Sequence, residues 1–266
     1  MIAATWQKTS TPVKARPKSC HASLVSQAST IVYVDERILA VNKPPTISLA
    51  TRRAEPHAAV ARLLESLTFG ERTSLGLAAE DLLLVHRLDL TTSGLVLLAR
   101  DVETHRELVA AFAARRVEKT YLALVWGRPK PPHGRWEWPL GPDIRDRRRM
   151  RVDSAGRPAA TLYRVIRRAP HVALVELVAL TGRTHQLRVH LAHAGHPIVG
   201  DDLYGGARHR GVRDASTRHI LQAPRALLHA WRLHLPATHT SRELVLVADL
   251  PADFAATLEA LGIAAP

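Results

Sequence analysis

Asp89 stands where a carboxylate could do chemistry. It follows the charged pair His86-Arg87 and precedes Leu90-Thr91-Thr92-Ser93-Gly94, and an apolar run, residues 95–99, comes next. A run with no polar residue reads as a strand buried on both faces, which puts Asp89 in a loop at the strand's mouth. A charged loop residue held against a rigid strand is a common way to present a reactive group, and a lone carboxylate can serve as a nucleophile. The same residues fit an Asp whose side chain only caps the Thr-Thr-Ser-Gly turn. From this stretch alone both readings stand.

Two other groups of residues carry possible chemistry. Arg145, Arg147, Arg148, Arg149 and Arg151 form the densest positive cluster, with no Glu among them. Such a run is either a solvated face or a surface for phosphate contacts. His185, His190 and His193 invite a metal reading, but spacings of five and three do not place all three on one helical face. No thiolate or Glu-bearing zinc motif accompanies them, so a metal hydrolase is disfavoured.

Composition narrows the partners. The 266 residues are 46% hydrophobic, enough for a sizeable core, and 37 Lys and Arg against 24 acidic residues give a formal charge of +13. That excess suits a polyanion, nucleic acid before a membrane surface, because no apolar run approaches the roughly 20 residues that span a bilayer. The single cysteine, Cys20, can form no internal disulfide, which fits a reducing compartment.

Elements must position these residues. Residues 1–30 lack Asp and Glu, carry Lys8, Lys14, Arg16 and Lys18, and read as a disordered basic arm, with an organelle transit peptide as the alternative. Residues 31–34 and 38–41 read as a β-hairpin around Asp35-Glu36-Arg37, broken by Asn42-Lys43-Pro44-Pro45. Residues 57–67 have helical spacing, and residues 68–80 read as a loop. Asp101 suits an N-cap for a helix over 102–115 with Leu108, Val109 and Phe112 inward. Residues 119–126 read as a strand with Tyr121, Ala123 and Val125 on one face. Residues 127–142, with five of the seventeen prolines, look like an excursion from the sheet. Strands follow over 159–168 and 172–180. Gly182 permits a tight turn, and Thr184 can cap a helix stopped by Gly195, its inward residues being Leu187, Leu191 and Ala194. A loop over 205–217, two late strands (226–235 and 244–248) and a closing helix over 251–261 complete the chain. The strand-rich pattern predicts an α+β fold, and residues 31–266 read as one catalytic domain.

His86-Arg87-Leu88-Asp89 with Thr92-Ser93-Gly94 resembles the signature of the RluA family of RNA pseudouridine synthases. The similarity continues in order through Asn42-Lys43-Pro44, Lys119-Thr120-Tyr121-Leu122-Ala123, Thr181-Gly182-Arg183-Thr184-His185-Gln186-Leu187-Arg188-Val189-His190, residues 195–201 and Leu228-His229-Ala230. The resemblance implies a large, mostly antiparallel mixed sheet with flanking helices and a central RNA-binding cleft. It implies that Asp89 is the nucleophile, that Tyr121 stacks on the target uracil, and that Arg183 pairs with Asp89. Arg87 would fill the space left by a flipped base. His86, Lys119, Gln186 and Arg188 would support the cleft or touch the RNA, as would Arg145, Arg147, Arg148 and Arg149, and Lys43 would lie beside the cleft. The isomerisation of uridine to pseudouridine is redox-neutral and calls for neither cofactor nor metal. The expected substrate is structured RNA, ribosomal or transfer, acted on by a cytoplasmic monomer of the shorter branch that lacks an N-terminal S4 domain. The competing reading from another class is a catalytically silent RNA-binding or ribosome-assembly protein of the same fold.

Overall fold

A computed structural model describes residues 28–51, 54–237 and 242–266. Nearly all of the basic arm assigned to residues 1–30 lies outside the described residues. The chain opens with the expected hairpin, β1 (Thr30–Val34) and β2 (Ile38–Lys43). Asp35 makes its turn, its Oδ1 accepting from the N–H groups of Arg37 at 2.8 Å and Ile38 at 2.7 Å.

Helices α1 (Ala58–Glu65) and α2 (Phe69–Leu75) follow, then β3 (Leu83–Leu84), β4 (Ser93–Ala99), α3 (Val102–Ala113) and β5 (Glu118–Trp126). Next come β6 (His133–Trp136), β7 (Leu140–Pro142), β8 (Met150–Val152), β9 (Thr161–Ala169) and β10 (Val172–Ala179). The chain closes with α4 (Gln186–His193), α5 (Ala215–Ile220), β11 (Leu228–Leu235), β12 (Leu244–Val247) and α6 (Ala252–Ala260).

Ten strands form one sheet in the order β1-β2-β4-β11-β5-β10-β9-β6, with β12 beside β11 and β3 beside β4, while β7 and β8 pair apart from it. Among the described residues every strand pair is antiparallel except β4 with β11. This is the α+β, mostly antiparallel mixed sheet the sequence led one to expect.

Strand β4 is buried on both faces because helices flank it. Leu95, Leu97 and Ala99 pack with Leu108 and Ala111 of α3, and Val96 and Leu98 pack with Ala59, Val60, Leu63 and Leu64 of α1. Gly94 lets β11 approach: at φ +113° a Cβ there would lie 2.2 Å from the Ala230 carbonyl oxygen, so no other residue fits. Strand β5 alternates as expected, Leu122, Leu124 and Trp126 facing Phe254 and Leu258 of α6, and Ala123 and Val125 facing Leu187 and Leu191 of α4.

Four local expectations change. Residues 68–80 hold helix α2, closed by a capping box between Thr68 and Glu71 and ended by Gly76 at φ +59°. The proline-rich stretch supplies β6, which pairs with β9 as the outermost strand of the sheet's main order. Residues 205–217 contain a 3₁₀ turn at Arg208–Gly211 and the start of α5, whose N-cap Asp214 accepts from Thr217 N–H. Val109 does not turn inward with Leu108 but is 39% exposed and lines the cleft described next.

Candidate active site

Asp89 ends up where the sheet opens, its carboxylate 29% exposed. Four neighbours fix its loop. The Thr92 N–H donates to the Asp89 carbonyl at 3.1 Å, and the Thr46 N–H donates to the Leu90 carbonyl at 3.0 Å. Arg225 donates to the Thr91 carbonyl at 3.2 Å while its other donors hold Asp253 of α6 at 2.6 and 2.8 Å. Lys43 is fully buried, its Nζ donating to Pro44 O at 2.7 Å and reaching Leu90 O at 3.4 Å. Burial, with the charge of Arg225, pushes the Lys43 ammonium down to about 7.

His86 serves the same loop from the other side. Its ring stacks on Phe112 of α3 at 4.8 Å, and its Nε2 accepts the Leu97 N–H at 3.2 Å. Burial, helped by Lys119, pushes its pKa down to about 3, so the ring is neutral and able to accept. His86 thus bonds the protein's own backbone through Nε2 while still lining the cleft in front of Asp89. His229 does comparable work at Gly94's neighbour: Nε2 donates to Ala248 O at 3.2 Å, leaving Nδ1 to accept from the Ser93 hydroxyl at 3.0 Å.

The guanidinium beside Asp89 belongs to Arg188, not to Arg183. Arg188 Nη1 lies 3.8 Å from Asp89 Oδ2, and its Nε and Nη2 form a fork onto Asp201 at 2.7 and 2.8 Å. Arg183 Nε instead donates to the Pro158 carbonyl at 3.1 Å. The physical reason is the entry of α4: its N-cap is His185 in the left-handed region at φ 55°, not Thr184, and Gly182 needs no such conformation. That turn costs on the order of 1 kcal/mol for a residue with a Cβ. It directs the first turn of the helix so that Arg188 enters the site, 7% exposed, and Arg183 stays on the rim.

Gln186, also expected to touch RNA, is 4% exposed and used internally: its Oε1 accepts from Thr181 at 2.6 Å and its Nε2 donates to Ala160 O and Thr161 Oγ1 at 2.9 and 3.0 Å. Arg188 and Gln186 both line the cleft and, little exposed, support it from within. The three histidines part company. His185 meets Tyr204, His190 is buried against Thr161 and the Trp138 carbonyl, and His193 packs edge-on to Trp138.

The cleft in front of Asp89 has a volume of about 520 Å³, within the range of small-molecule sites. Tyr121 forms part of its wall, and burial together with the Asp89 charge raises its hydroxyl's pKa, so the phenol stays protonated. Arg87, Arg115, Lys119 and Arg183 line it, making its rim basic. Burial and the neighbouring Arg115 lower the pKa of Lys119. The hairpin β7–β8 and its turn carry Arg145, Arg147, Arg148, Arg149 and Arg151, none of which lines the cleft. Arg148 pairs with Asp146 at 2.8 Å, and Arg149 lies over the Tyr204 ring at 5.3 Å.

Sequence reasoning did not pick out Asp201 and Tyr204. A carboxylate straight after Pro197-Ile198-Val199-Gly200 was the available signal, since an Asp at the end of an apolar stretch needs a cationic partner.

A single carboxylate on the wall of a basic cleft, held beside a guanidinium on a mixed α+β sheet, marks the class: proteins that present one acidic group to a polyanion. The family model described as RNA pseudouridylate synthase matches residues 37–193. The chain is 36% identical to the dual-specificity RNA pseudouridine synthase RluA of Escherichia coli over 84% of its length and 93% of that protein's. It is 35% identical to the ribosomal large subunit pseudouridine synthase D of Nitrosomonas europaea, over 87% of this chain and 64% of that one. An uncharacterized RNA pseudouridine synthase of Chloroflexus aurantiacus is 45% identical over 67% of this chain, which spans only 53% of that relative's length. Among solved structures, human RNA pseudouridylate synthase domain containing 4 superposes with a TM-score of 0.69 at 27% identity, covering 89% of this chain and 94% of that one. The chain belongs to the RNA pseudouridylate synthase family, on its RluA side.

Proposed function

We propose that this chain isomerises specific uridines in structured RNA to pseudouridine, with Asp89 as the nucleophile. The observation that carries the reading is the Asp89 carboxylate, partly exposed in a basic cleft, with Arg188 Nη1 3.8 Å away and Tyr121 in the same wall. The reaction breaks the bond between ribose C1′ and N1, turns the base over and rejoins it through C5, so atoms and charge balance within the nucleotide. A carboxylate can supply the transient covalent partner this needs. Arg188 sets a positive charge beside that carboxylate and is itself held by Asp201, so the pairing first assigned to Arg183 passes to Arg188.

Tyr121, protonated and rigid in its strand, offers a flat face for the uracil. The target base must leave its stack at a cost of a few kcal/mol, and Arg87, exposed two residues before Asp89, fills the gap. Arg145, Arg147, Arg148, Arg149, Arg183 and Lys119 offset that cost through phosphate contacts. The name of the Nitrosomonas europaea relative makes large-subunit ribosomal RNA the first substrate to test, with transfer RNA, the other structured RNA expected from the sequence, the second.

The test is pseudouridine mapping of total RNA from cells lacking the gene, complemented by wild type or by Asp89→Ala. One or a few sites should vanish on deletion and return only with wild type. No change on deletion, or equal restoration by Asp89→Ala, would leave a silent RNA-binding protein as the better description.

A further inference from the structure

The Tyr204 hydroxyl stands between two nitrogens. The Met150 N–H of β8 points at it from 2.8 Å, and His185 Nδ1 lies 2.8 Å away on the other side. The far nitrogen of the same imidazole, Nε2, lies 4.0 Å from Asp89 Oδ2. A backbone amide can only donate, so the phenol oxygen accepts from Met150. Its own hydrogen has one acceptor among the described residues, His185 Nδ1.

We infer that Tyr204 fixes the tautomer of His185, placing the ring proton on Nε2 so that a neutral imidazole offers an N–H to the Asp89 carboxylate. His185 is then a positioning residue for the nucleophile, and Tyr204 acts through it. The chain Met150 to Tyr204 to His185 to Asp89 also ties the arginine-bearing hairpin to the reacting group, because Met150 begins β8.

Three features hold the arrangement. The left-handed backbone of His185 turns its ring edge-on to Tyr204, 5.6 Å between centroids at 83°. Arg188 lies over the Tyr204 ring at 5.0 Å from its centroid and Arg149 at 5.3 Å, so two guanidinium groups pack on the phenol. Burial keeps the imidazole pKa low despite the raising influence of Asp89, and the nearby Arg188 and Arg87 add to the lowering. A charged imidazolium would carry hydrogens on both nitrogens and leave the Tyr204 hydroxyl without its acceptor.

The tautomer assignment rests on the Tyr204 hydroxyl's need for an acceptor, and its weight in catalysis rests on the function proposed above. Long-range ¹H–¹⁵N correlation of protein labelled at histidine reads the tautomer directly, with His185→Gln supplying the assignment. Wild type should show a protonated Nε2 and a bare Nδ1, and Tyr204→Phe should move the ring toward a mixture of tautomers. At saturating RNA, Tyr204→Phe should lower kcat about 10-fold with KM changed less than about 2-fold, the size expected where Nε2–H closes from 4.0 Å to hydrogen-bond distance of Asp89 in the RNA complex. Glutamine can mimic Nε2–H and asparagine Nδ1–H, so His185→Gln should turn over at least about ten times faster than His185→Asn.

A proton found on Nδ1 in wild type, or a tautomer unmoved by Tyr204→Phe, overturns the inference. Full activity in Tyr204→Phe with the tautomer shifted overturns the catalytic part. A wild-type protein with the Nε2–H tautomer that modifies no uridine sinks the proposed function while the tautomer assignment stands.

Discussion

Removing Arg188 separates what it does for the fold from what it does for Asp89. In Arg188→Ala the carboxylate of Asp201, whose side chain is 0% exposed, loses a two-pronged partner and, among the described residues, keeps the N–H groups of Leu203 and Tyr204 at 3.2 and 3.1 Å. Stranding a buried charge in this way costs about 3–5 kcal/mol of stability. Asp89 loses a positive neighbour at 3.8 Å. At an effective dielectric near 20 that pair is worth about 4 kcal/mol, and partial exposure of Asp89 brings it to about 1–2. Such a loss corresponds to a rate roughly 5- to 30-fold lower at neutral pH.

The second change, Asp201→Ala, removes the stranded charge. The double variant should therefore regain at least half of the stability lost in Arg188→Ala, measured by urea unfolding. It should regain none of the rate, measured as pseudouridine formed per enzyme under single-turnover conditions. If rate and stability return together in the double variant, Arg188 acts only through folding, and the electrostatic argument for Asp89 is refuted.

Acid should weaken the anchor at His86. Its folded pKa of about 3 lies below the 6.5 of a free imidazole, so between those values the unfolded chain binds the extra proton and stability falls as pH falls. The difference between wild type and His86→Gln in urea unfolding should shrink below pH 6.5 by up to about 1.4 kcal/mol per unit, and a constant difference from pH 7 to 4 would contradict the neutral, accepting ring. Gly94→Ala, which forces a Cβ to within 2.2 Å of Ala230 O, should cost more than about 2 kcal/mol by chemical denaturation, and a cost under about half that would mean β4 and β11 can part freely. Replacing Arg145, Arg147 and Arg148 by Ser should flatten the plot of log Kd against log salt by roughly 2 to 3, with an unchanged slope ruling out phosphate contacts by the hairpin.

The strand at the centre of this protein was legible because its signal is local. Residues 95–99 contain no polar side chain, and a strand of that kind is buried wherever it falls, so Asp89 at its mouth followed from the sequence. The hairpin around Asp35, the Asp101 cap and the alternation of β5 were equally readable from neighbours within a few residues. Helix α2 was readable too: Thr68 and Glu71 spell a capping box, passed over because the segment lacks an apolar stripe and buries nothing.

What could not be read is which cation reaches Asp89. Arg183 and Arg188 lie five residues apart in one motif, and only the left-handed turn at His185 decides that the second enters the site. The fork onto Asp201 joins residues 13 apart, the Tyr204–Met150 contact spans 54, and Arg225 reaches Thr91 across 134. Side-chain periodicity and capping act over a turn or a strand. These pairings instead depend on a sheet order that sets β4 beside β11 and on a single backbone dihedral at the start of α4. The sequence determined that a carboxylate would be presented on a rigid strand in a basic protein, and the tertiary structure decided what surrounds it.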